Sequence, residues 1–241
     1  MTPRPRSIVR FSSTSTLVSN YRIRLPTLRK LYIDQKIRSY LDGIALTDHD
    51  ITKLPVDAIV NPARPDLLPD SKGSVNHEIH EAAGPMLLEE CKRLDGCNVG
   101  DAQITDACKL HFKCVIHTVG PIYKTSHATE KMDLLAACYR RSLRLAAAHK
   151  LRKIAFPLIS VGQKEFLLDD EIRIALGTVR RFFSAPESEE VRTLGIHRVF
   201  RASIKATLFR LKIELVVFVA HGDDQMTAFK KVSDLLSEAN T

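Results

Sequence analysis

The residues best placed to do chemistry lie in a polar loop between a buried strand and a helix. The apolar run Val56–Asn61 is typical of a strand, and a helical pattern begins at Val75. Gly73 and Ser74 come directly before that helix. A helix N-terminus offers backbone N–H groups without intrahelical acceptors, and a glycine lets the backbone approach a ligand closely. The arrangement predicts a site for an anionic ligand.

The elements that must position this loop alternate along the chain. From about residue 42, short β-branched runs alternate with longer helical patterns. This order is typical of crossover units and predicts a largely parallel or mixed sheet covered on both faces. The predicted strands are Gly43–Leu46, Val56–Asn61, Ala102–Asp106, Cys114–Val119, Lys153–Ile159 and Glu214–Ala220, and the predicted helices are Val75–Arg93, Met132–His149, Leu168–Phe183 and Asp224–Ala239.

The positive charge of the chain is concentrated in its first 33 residues. The formal net charge is +8, and residues 1–33 hold seven basic residues and no acid, which leaves 29 basic against 28 acidic residues elsewhere. A nearly neutral body argues against a nucleic-acid partner, which requires clustered Lys and Arg. The Arg-rich and Ser/Thr-rich stretch 1–33 favours either a mitochondrial transit peptide or a basic tail of a cytoplasmic or nuclear protein.

A second basic stretch interrupts the alternating pattern near the end of the chain. Residues 191–213 contain six Lys and Arg residues and no acid, and their apolar residues recur every three or four positions. The pattern predicts an amphipathic helix for an acidic partner or a membrane surface. We therefore divide the chain into the tail 1–33 and a single domain, 34–241, with this basic stretch at about 191–212.

The cysteines and histidines do not form a metal-binding pattern. The five cysteines are odd in number and lack CxxC spacing, which argues against disulfides and zinc. We expect His77 and His80 to lie on a helix surface or to cap a helix, and His117 to be a hydrogen-bonded core residue of a strand. We expect no metal, no cofactor, no transmembrane segment and a monomeric chain.

Four motifs, taken in order, resemble the macrodomain family and in particular its MacroD-like ADP-ribosyl hydrolase branch. They are Asp50-Ile51, the run 56–63 with the following helix start, Ile116-His117-Thr118-Val119-Gly120-Pro121, and the run 154–162. The resemblance implies a three-layer α/β/α fold with a mixed, mainly parallel central sheet. It also implies recognition of ADP-ribose, either free or attached to mono-ADP-ribosylated proteins. Because the family connects the preceding helix to its last strand with far fewer residues, the resemblance marks residues 191–212 as an insertion, which is either a real interaction helix or a translated intron.

The resemblance also assigns binding roles to individual residues. Asp50 would accept a hydrogen bond from the adenine amino group, and the backbone of Ile51 would hold the ring. Arg64 and Lys164 would act as phosphate clamps where the family has an asparagine and an aromatic residue. The remaining cleft residues implied by the family motifs are Asn61, Gly73, Ser74, Val75, Ser160, Val161 and Gly162.

The catalytic motif departs from the family at two positions. Arg64 stands in place of the asparagine near the distal ribose, and Asn76 stands in place of the aspartate credited with positioning water. Because an amide is not a general base at neutral pH, we expect ADP-ribose recognition with weakened or lost hydrolysis, as in a pseudoenzyme. One alternative is an active mono-ADP-ribosyl hydrolase or O-acetyl-ADP-ribose deacetylase, of glycohydrolase or esterase type, in which Asp70 or Asp66 supplies the acid. A second alternative is a scaffold that binds a partner or membrane through the basic insertion.

Overall fold

The computed structural model describes residues 43–123, 125–160, 166–184 and 213–238, and within these ranges the chain forms one sheet flanked by helices. Short 3₁₀ turns lie at Ile51–Lys53 and Thr125–His127. The strands are β1 (Ile44–Thr47), β2 (Ala58–Pro62), β3 (Ala102–Asp106), β4 (Cys114–Thr118), β5 (Lys153–Pro157) and β6 (Leu215–Val219). The helices are α1 (Val75–Ala83), α2 (Pro85–Arg93), α3 (Ala128–Ala148), α4 (Leu168–Ser184) and α5 (Asp223–Glu238).

The strand order in the sheet is β1-β6-β5-β2-β4-β3. Every neighbouring pair is parallel except β3 with β4, which is antiparallel at the edge of the sheet. In the centre, Ile59 of β2 is in register with Val115 of β4 on one side and Ala155 of β5 on the other. The predicted mixed, mainly parallel sheet is confirmed.

Two hydrophobic cores lie on opposite faces of this sheet. On one face Val60 and Phe156 pack in a cluster with residues of α3, α4 and α5, such as Ile172. On the other face Ile59 packs in a cluster that includes Ile79 of α1. Because successive strand residues point to opposite faces, the continuous apolar run of β2 supplies both cores. The three-layer α/β/α architecture is therefore confirmed.

The predicted single helix Val75–Arg93 is wrong, because α1 and α2 are separate. Gly84 lies between them with φ of 77°, and its N–H closes α1 by donating to the carbonyls of His80 and Glu81. Pro85 then begins α2, where a backbone N–H would have no acceptor within the helix, so its absence has no cost. The proline ring also disfavours a helical conformation of the residue before it. The Gly-Pro pair is the signal that ends the helix.

The other predicted strands and helices lie within a few residues of the observed bounds. The tail 1–33 and the insertion 191–212 lie outside the described residues, so the domain boundaries and localisation stay predictions. Within the described ranges, no helix is long and apolar enough to cross a bilayer.

A chain of buried polar side chains joins β2, β3, β4 and α1 beneath the first loop. The Asn61 amide Nδ2 donates to Asn76 Oδ1 at 2.8 Å and to His117 Nδ1 at 3.1 Å. Asn76 Nδ2 donates to the carbonyl of Leu68 at 2.9 Å. His117 Nε2 lies 2.9 Å from the hydroxyl of Thr105. The expectation that His117 is a hydrogen-bonded core residue is confirmed.

The carbonyl of Leu68 sets the orientation of every group in this chain. A carbonyl can only accept, so the Nδ2 of Asn76 faces it and the Oδ1 of Asn76 faces Asn61. Asn61 must then present its own Nδ2, which leaves Nδ1 of His117 as an acceptor. The neutral imidazole therefore carries its proton on Nε2 and donates to Thr105.

His80 differs from expectation, because its ring is buried rather than on the helix surface. It lies on the inner face of α1, and its ring centroid is 6.4 Å from that of His117. Burial lowers the pKa of His80, and the charge of His77 lowers it further. His77 remains partly exposed and lies 3.8 Å from Glu81, one turn along the helix.

Acidification should destabilise the fold through His117. Burial, reinforced by His80, lowers the pKa of His117 to about 3. The unfolded chain therefore binds a proton near pH 6.5 that the folded chain does not bind until about pH 3. Between these values, stability should fall with decreasing pH by up to about 1.4 kcal/mol per pH unit from this group.

Urea unfolding between pH 7 and pH 4 measures this slope. His117→Gln, which removes the titrating ring, should be less stable than wild type at pH 7 but should lose less stability on acidification. His127→Gln removes an exposed imidazole and should keep the wild-type slope. A His117→Gln slope equal to that of wild type would contradict this assignment.

Candidate functional site

The loops that carry the predicted site residues meet at one edge of the sheet. Since β1, β2, β4, β5 and β6 are parallel, their carboxyl ends lie together, followed by Asp50, Arg64, Gly120, Ser160 and His221 respectively. Two strands separate β1 from β2, so at about 4.8 Å per strand their ends are about 14 Å apart. The edge thus has one end at the β1 loop and another at the β2 and β4 loops.

Asp50 begins the 3₁₀ turn at the first end and keeps an exposed carboxylate. Its Oδ1 accepts from the backbone N–H of Thr52 at 2.9 Å and from the Thr52 hydroxyl at 2.6 Å. Its Oδ2 lies 3.0 Å from Lys53. Partial burial raises the pKa of Asp50, but the hydrogen bonds from Thr52 and Lys53 outweigh it and hold the pKa below its usual value. Asp50 is therefore ionised at neutral pH beside the buried Ile51.

Arg64, Asp66 and Asp70 form a charged cluster in the first loop. Arg64 lies 3.0 Å from Asp66 and 3.8 Å from Asp70. Asp66 also accepts from the N–H of Leu68, and Leu67 adopts a positive φ of 57° with its side chain buried. The cluster is therefore fixed by a tight turn. A ligand phosphate at Arg64 would compete with two carboxylates.

The N-terminus of α1 opens from the end of the same loop. Gly73 has φ of 88°, and a Cβ built on it would meet nothing within 4 Å. The side chain of Ser74 caps the helix by accepting from His77 N–H at 3.1 Å. The N–H of Ser74 itself donates to the carbonyl of Ser71, whereas Val75 is the first helical residue and its N–H has no acceptor within the helix. The helix start can thus donate to an anion through Val75.

Asn61 and Asn76 lie behind the cleft rather than in it. Both side chains are buried, with exposures of 0% and 1%, and both are used in the polar chain below the first loop. The donation from Asn76 to Leu68 requires an amide, because a carboxylate would place a second acceptor against the carbonyl. In this chain Asn76 therefore anchors the first loop to α1 and β2.

Sequence analysis missed Glu171, which fixes the start of the second loop. Its buried Oε1 accepts from the N–H of Ile159 at 2.5 Å and of Ser160 at 2.9 Å, and from the Tyr139 hydroxyl at 3.1 Å. Burial and the neighbouring Glu171 raise the pKa of Tyr139 well above its usual value, so the hydroxyl stays a donor. The Ser160 N–H is therefore used internally. Its spacing of four residues from the apolar Ala175 was the available signal that Glu171 faces inward.

Gly120, which belongs to the motif 116–121, sets the distance between the β4 and β5 loops. A Cβ on Gly120 would lie 2.3 Å from Ser160 Oγ and 2.6 Å from Ile159 Cγ2. Only glycine permits this approach. The end of β4 is consequently packed directly against the start of the second loop.

The described loops place Asp50, Ile51, Arg64, Asp70 and residues 73–75 along the same edge of the sheet, where Ser160 is buried. Val161, Gly162 and Lys164 lie outside the described residues. Among the described side chains, no group of three or more His, Cys, Asp or Glu is placed to hold a metal ion. Burial raises the pKa of Cys91 to about 12, so this neighbour of His117 remains a thiol at neutral pH.

Replacing Gly120 with alanine tests whether this packing shapes the cleft. The new methyl group must displace Ser160 and Ile159, and overpacking of this kind costs about 1–3 kcal/mol of stability. We expect a lower denaturation midpoint and a displaced second loop, visible as changed amide chemical shifts near Ser160.

The matched control is Gly177→Ala in α4, where the nearest side-chain atom lies 4.0 Å away. This change should stabilise the helix by about 0.5–1 kcal/mol without altering the loops. If Gly120→Ala had the stability and spectrum of wild type, the tight approach of the two loops would be wrong.

Comparison with known proteins identifies relatives of this chain. Residues 60–175 match the sequence model of the Macro domain family. A macro domain-containing protein of Methanosarcina mazei is 45% identical over 160 residues, which cover 66% of this chain and 84% of that protein. ADP-ribose glycohydrolase MACROD2 of Mus musculus is 42% identical over 160 residues, which cover 66% of this chain but 33% of that protein.

A solved structure extends the similarity to three dimensions. The Trypanosoma brucei macrodomain in complex with ADP-ribose superposes with a TM-score of 0.66 and 30% sequence identity, covering 87% of this chain and 77% of that one. The shared fold and the similarity to MACROD2 agree with the MacroD-like motifs. Because of its sequence identity to the Methanosarcina protein and its three-layer α/β/α fold, this chain belongs to the macro domain family.

Proposed function

We propose that this chain binds ADP-ribose, free or attached to protein, along the carboxyl edge of its sheet, with weakened or lost hydrolysis. The observation that carries the proposal is the placement of an exposed, ionised Asp50 at one end of an edge whose other end, after β2, holds the N-terminus of α1. A carboxylate suits the adenine amino group, and a helix N-terminus suits a diphosphate. The Trypanosoma brucei relative that binds ADP-ribose supports the same ligand.

With adenine at Asp50 and the diphosphate at the N-terminus of α1, the second ribose lies beside Arg64. Asp66 and Asp70 hold the guanidinium in place, so Arg64 approaches the ligand as one cation paired with two carboxylates rather than as a free cation. Lys164 remains a predicted second clamp. We expect weaker phosphate binding than a loop with an unopposed arginine would provide.

The environment of Asn76 supports weakened hydrolysis. A general base must accept a proton from water, which an amide does not do at neutral pH. Asn76 is also buried and hydrogen-bonded at both ends of its amide, so no water reaches it without movement of the first loop.

Calorimetric titration of ADP-ribose into the full chain tests binding. Wild type should bind in the micromolar range, and Asp50→Ala should weaken binding roughly 10- to 100-fold because a hydrogen bond to a charged group is lost. Thr52→Val is the control, since it disturbs the same turn but leaves the carboxylate in place. Equal losses in both variants would mean that turn geometry matters and that Asp50 does not contact the base.

The second candidate is an active hydrolase, and the similarity to MACROD2, a glycohydrolase, favours it. Asp70 would then supply the acid or base, because its carboxylate lies in the first loop, 3.8 Å from Arg64. Asp70→Asn should reduce release of ADP-ribose from a mono-ADP-ribosylated protein by about 10²- to 10⁴-fold while binding persists. Measurable wild-type turnover that is unchanged in Asp70→Asn would exclude Asp70 from the chemistry.

A further inference from the structure

Exposed apolar side chains are concentrated at one end of the proposed cleft. The described ranges contain five large apolar residues with exposed side chains, and four of them lie in loops around the ends of β2, β4 and β5. The fifth, Met86, lies on α2, whose start packs near Lys109 beyond the opposite end of β3. The four are Leu68, Val99, Ile122 and Leu167, and we call them the distal apolar patch.

Three contacts hold the loops of this patch together. The N–H of Cys97 donates to the Pro65 carbonyl at 2.8 Å, which joins the segment before Val99 to the first loop. Gly120 packs against Ser160, as described above. The rings of Tyr123 and Phe166 meet edge to face with centroids 4.9 Å apart.

The ring contact places the two most exposed members of the patch in neighbouring loops. Ile122 precedes Tyr123, and Leu167 follows Phe166. Their exposures are 57% and 66%, although the rings beside them are partly or fully buried. Single exposed aliphatic residues are common, but four in neighbouring loops at one end of a cleft are typical of an interaction surface.

Among the described residues, two ion-paired groups border the patch. Arg64 contacts Asp66 at 3.0 Å, and Arg141 contacts Asp101 at 3.3 Å while donating to the Gly100 carbonyl. Paired charges around an apolar centre resemble the rim and core of a protein interface. Apolar contact therefore contributes to selection at this surface.

The sheet order places Ile122 beyond the second ribose, and the ring contact joins the Leu167 loop to it. Asp50 follows β1 at the other end of the edge, whereas Ile122 follows β4, which lies past β2 and Arg64. With adenine at Asp50, a group attached to the second ribose leaves the cleft toward Ile122 and Leu167. The polypeptide that carries an ADP-ribosyl group would meet the patch there.

We propose that the distal apolar patch docks the polypeptide of a mono-ADP-ribosylated protein and selects acceptors with aliphatic or aromatic residues beside the modified position. The proposal rests on ADP-ribose binding in the orientation given above. Free ADP-ribose ends at the second ribose, so its affinity is independent of the patch.

Two synthetic peptides with a non-hydrolysable ADP-ribosyl linkage test this specificity. They differ only in carrying leucine or serine on both sides of the modified residue. The wild-type chain should bind the leucine peptide at least about fivefold more tightly than the serine peptide. The double variant Ile122→Ser/Leu167→Ser should bind both peptides equally while keeping wild-type affinity for free ADP-ribose, which also shows that it is folded.

Met86→Ser is the matched control, because it removes an exposed aliphatic side chain outside the patch and should keep the leucine preference. Equal affinity of wild type for the two peptides, with ADP-ribose binding intact, would overturn the docking proposal alone. A wild-type dimer that the double variant dissociates would overturn it by assigning the patch to a second copy. No binding of ADP-ribose by wild type would overturn both proposals.

Discussion

The donation from Asn76 to the Leu68 carbonyl is the constraint on which the cleft depends. It orients Asn76, Asn61 and His117 in turn, and it fastens the first loop to α1, β2 and β4. Buried polar groups are costly unless each finds a partner, so the chain of hydrogen bonds permits one arrangement of the loop. Arg64 and the helix start hold their positions because of that arrangement.

The same donation bears on the proposed weakening of hydrolysis. An amide at position 76 satisfies the Leu68 carbonyl, whereas a carboxylate would repel it. In the proposed function, the residue that stands in place of a general base thus makes a structural contact. Glu171 has the corresponding structural role at the start of the second loop, where a buried carboxylate accepts from two backbone N–H groups. Buried side chains therefore fix the first loop and the first residue of the second loop.

The sequence predicted the fold closely because β-branched runs and helical patterns alternate clearly, and β3 has the predicted bounds. It failed at Gly84, where apolar periodicity continues through a Gly-Pro break, and at His80, whose burial depends on how α1 packs. For the site, motifs identified the loops, but pairing of Arg64 with two carboxylates and burial of Asn76 arise only in three dimensions. Such contacts join residues whose partners are set by loop geometry and not by local periodicity.

The most direct test of the account is an amide NMR titration of the full chain with ADP-ribose. The account predicts that chemical-shift changes concentrate at Ile51, Val75 and Ser160 and at the side-chain amide of Asn76, because a ligand on the carboxyl edge contacts or borders all four. Changes confined to the outer surfaces of α3 and α4, or no changes at millimolar ligand, would contradict a nucleotide site at this edge.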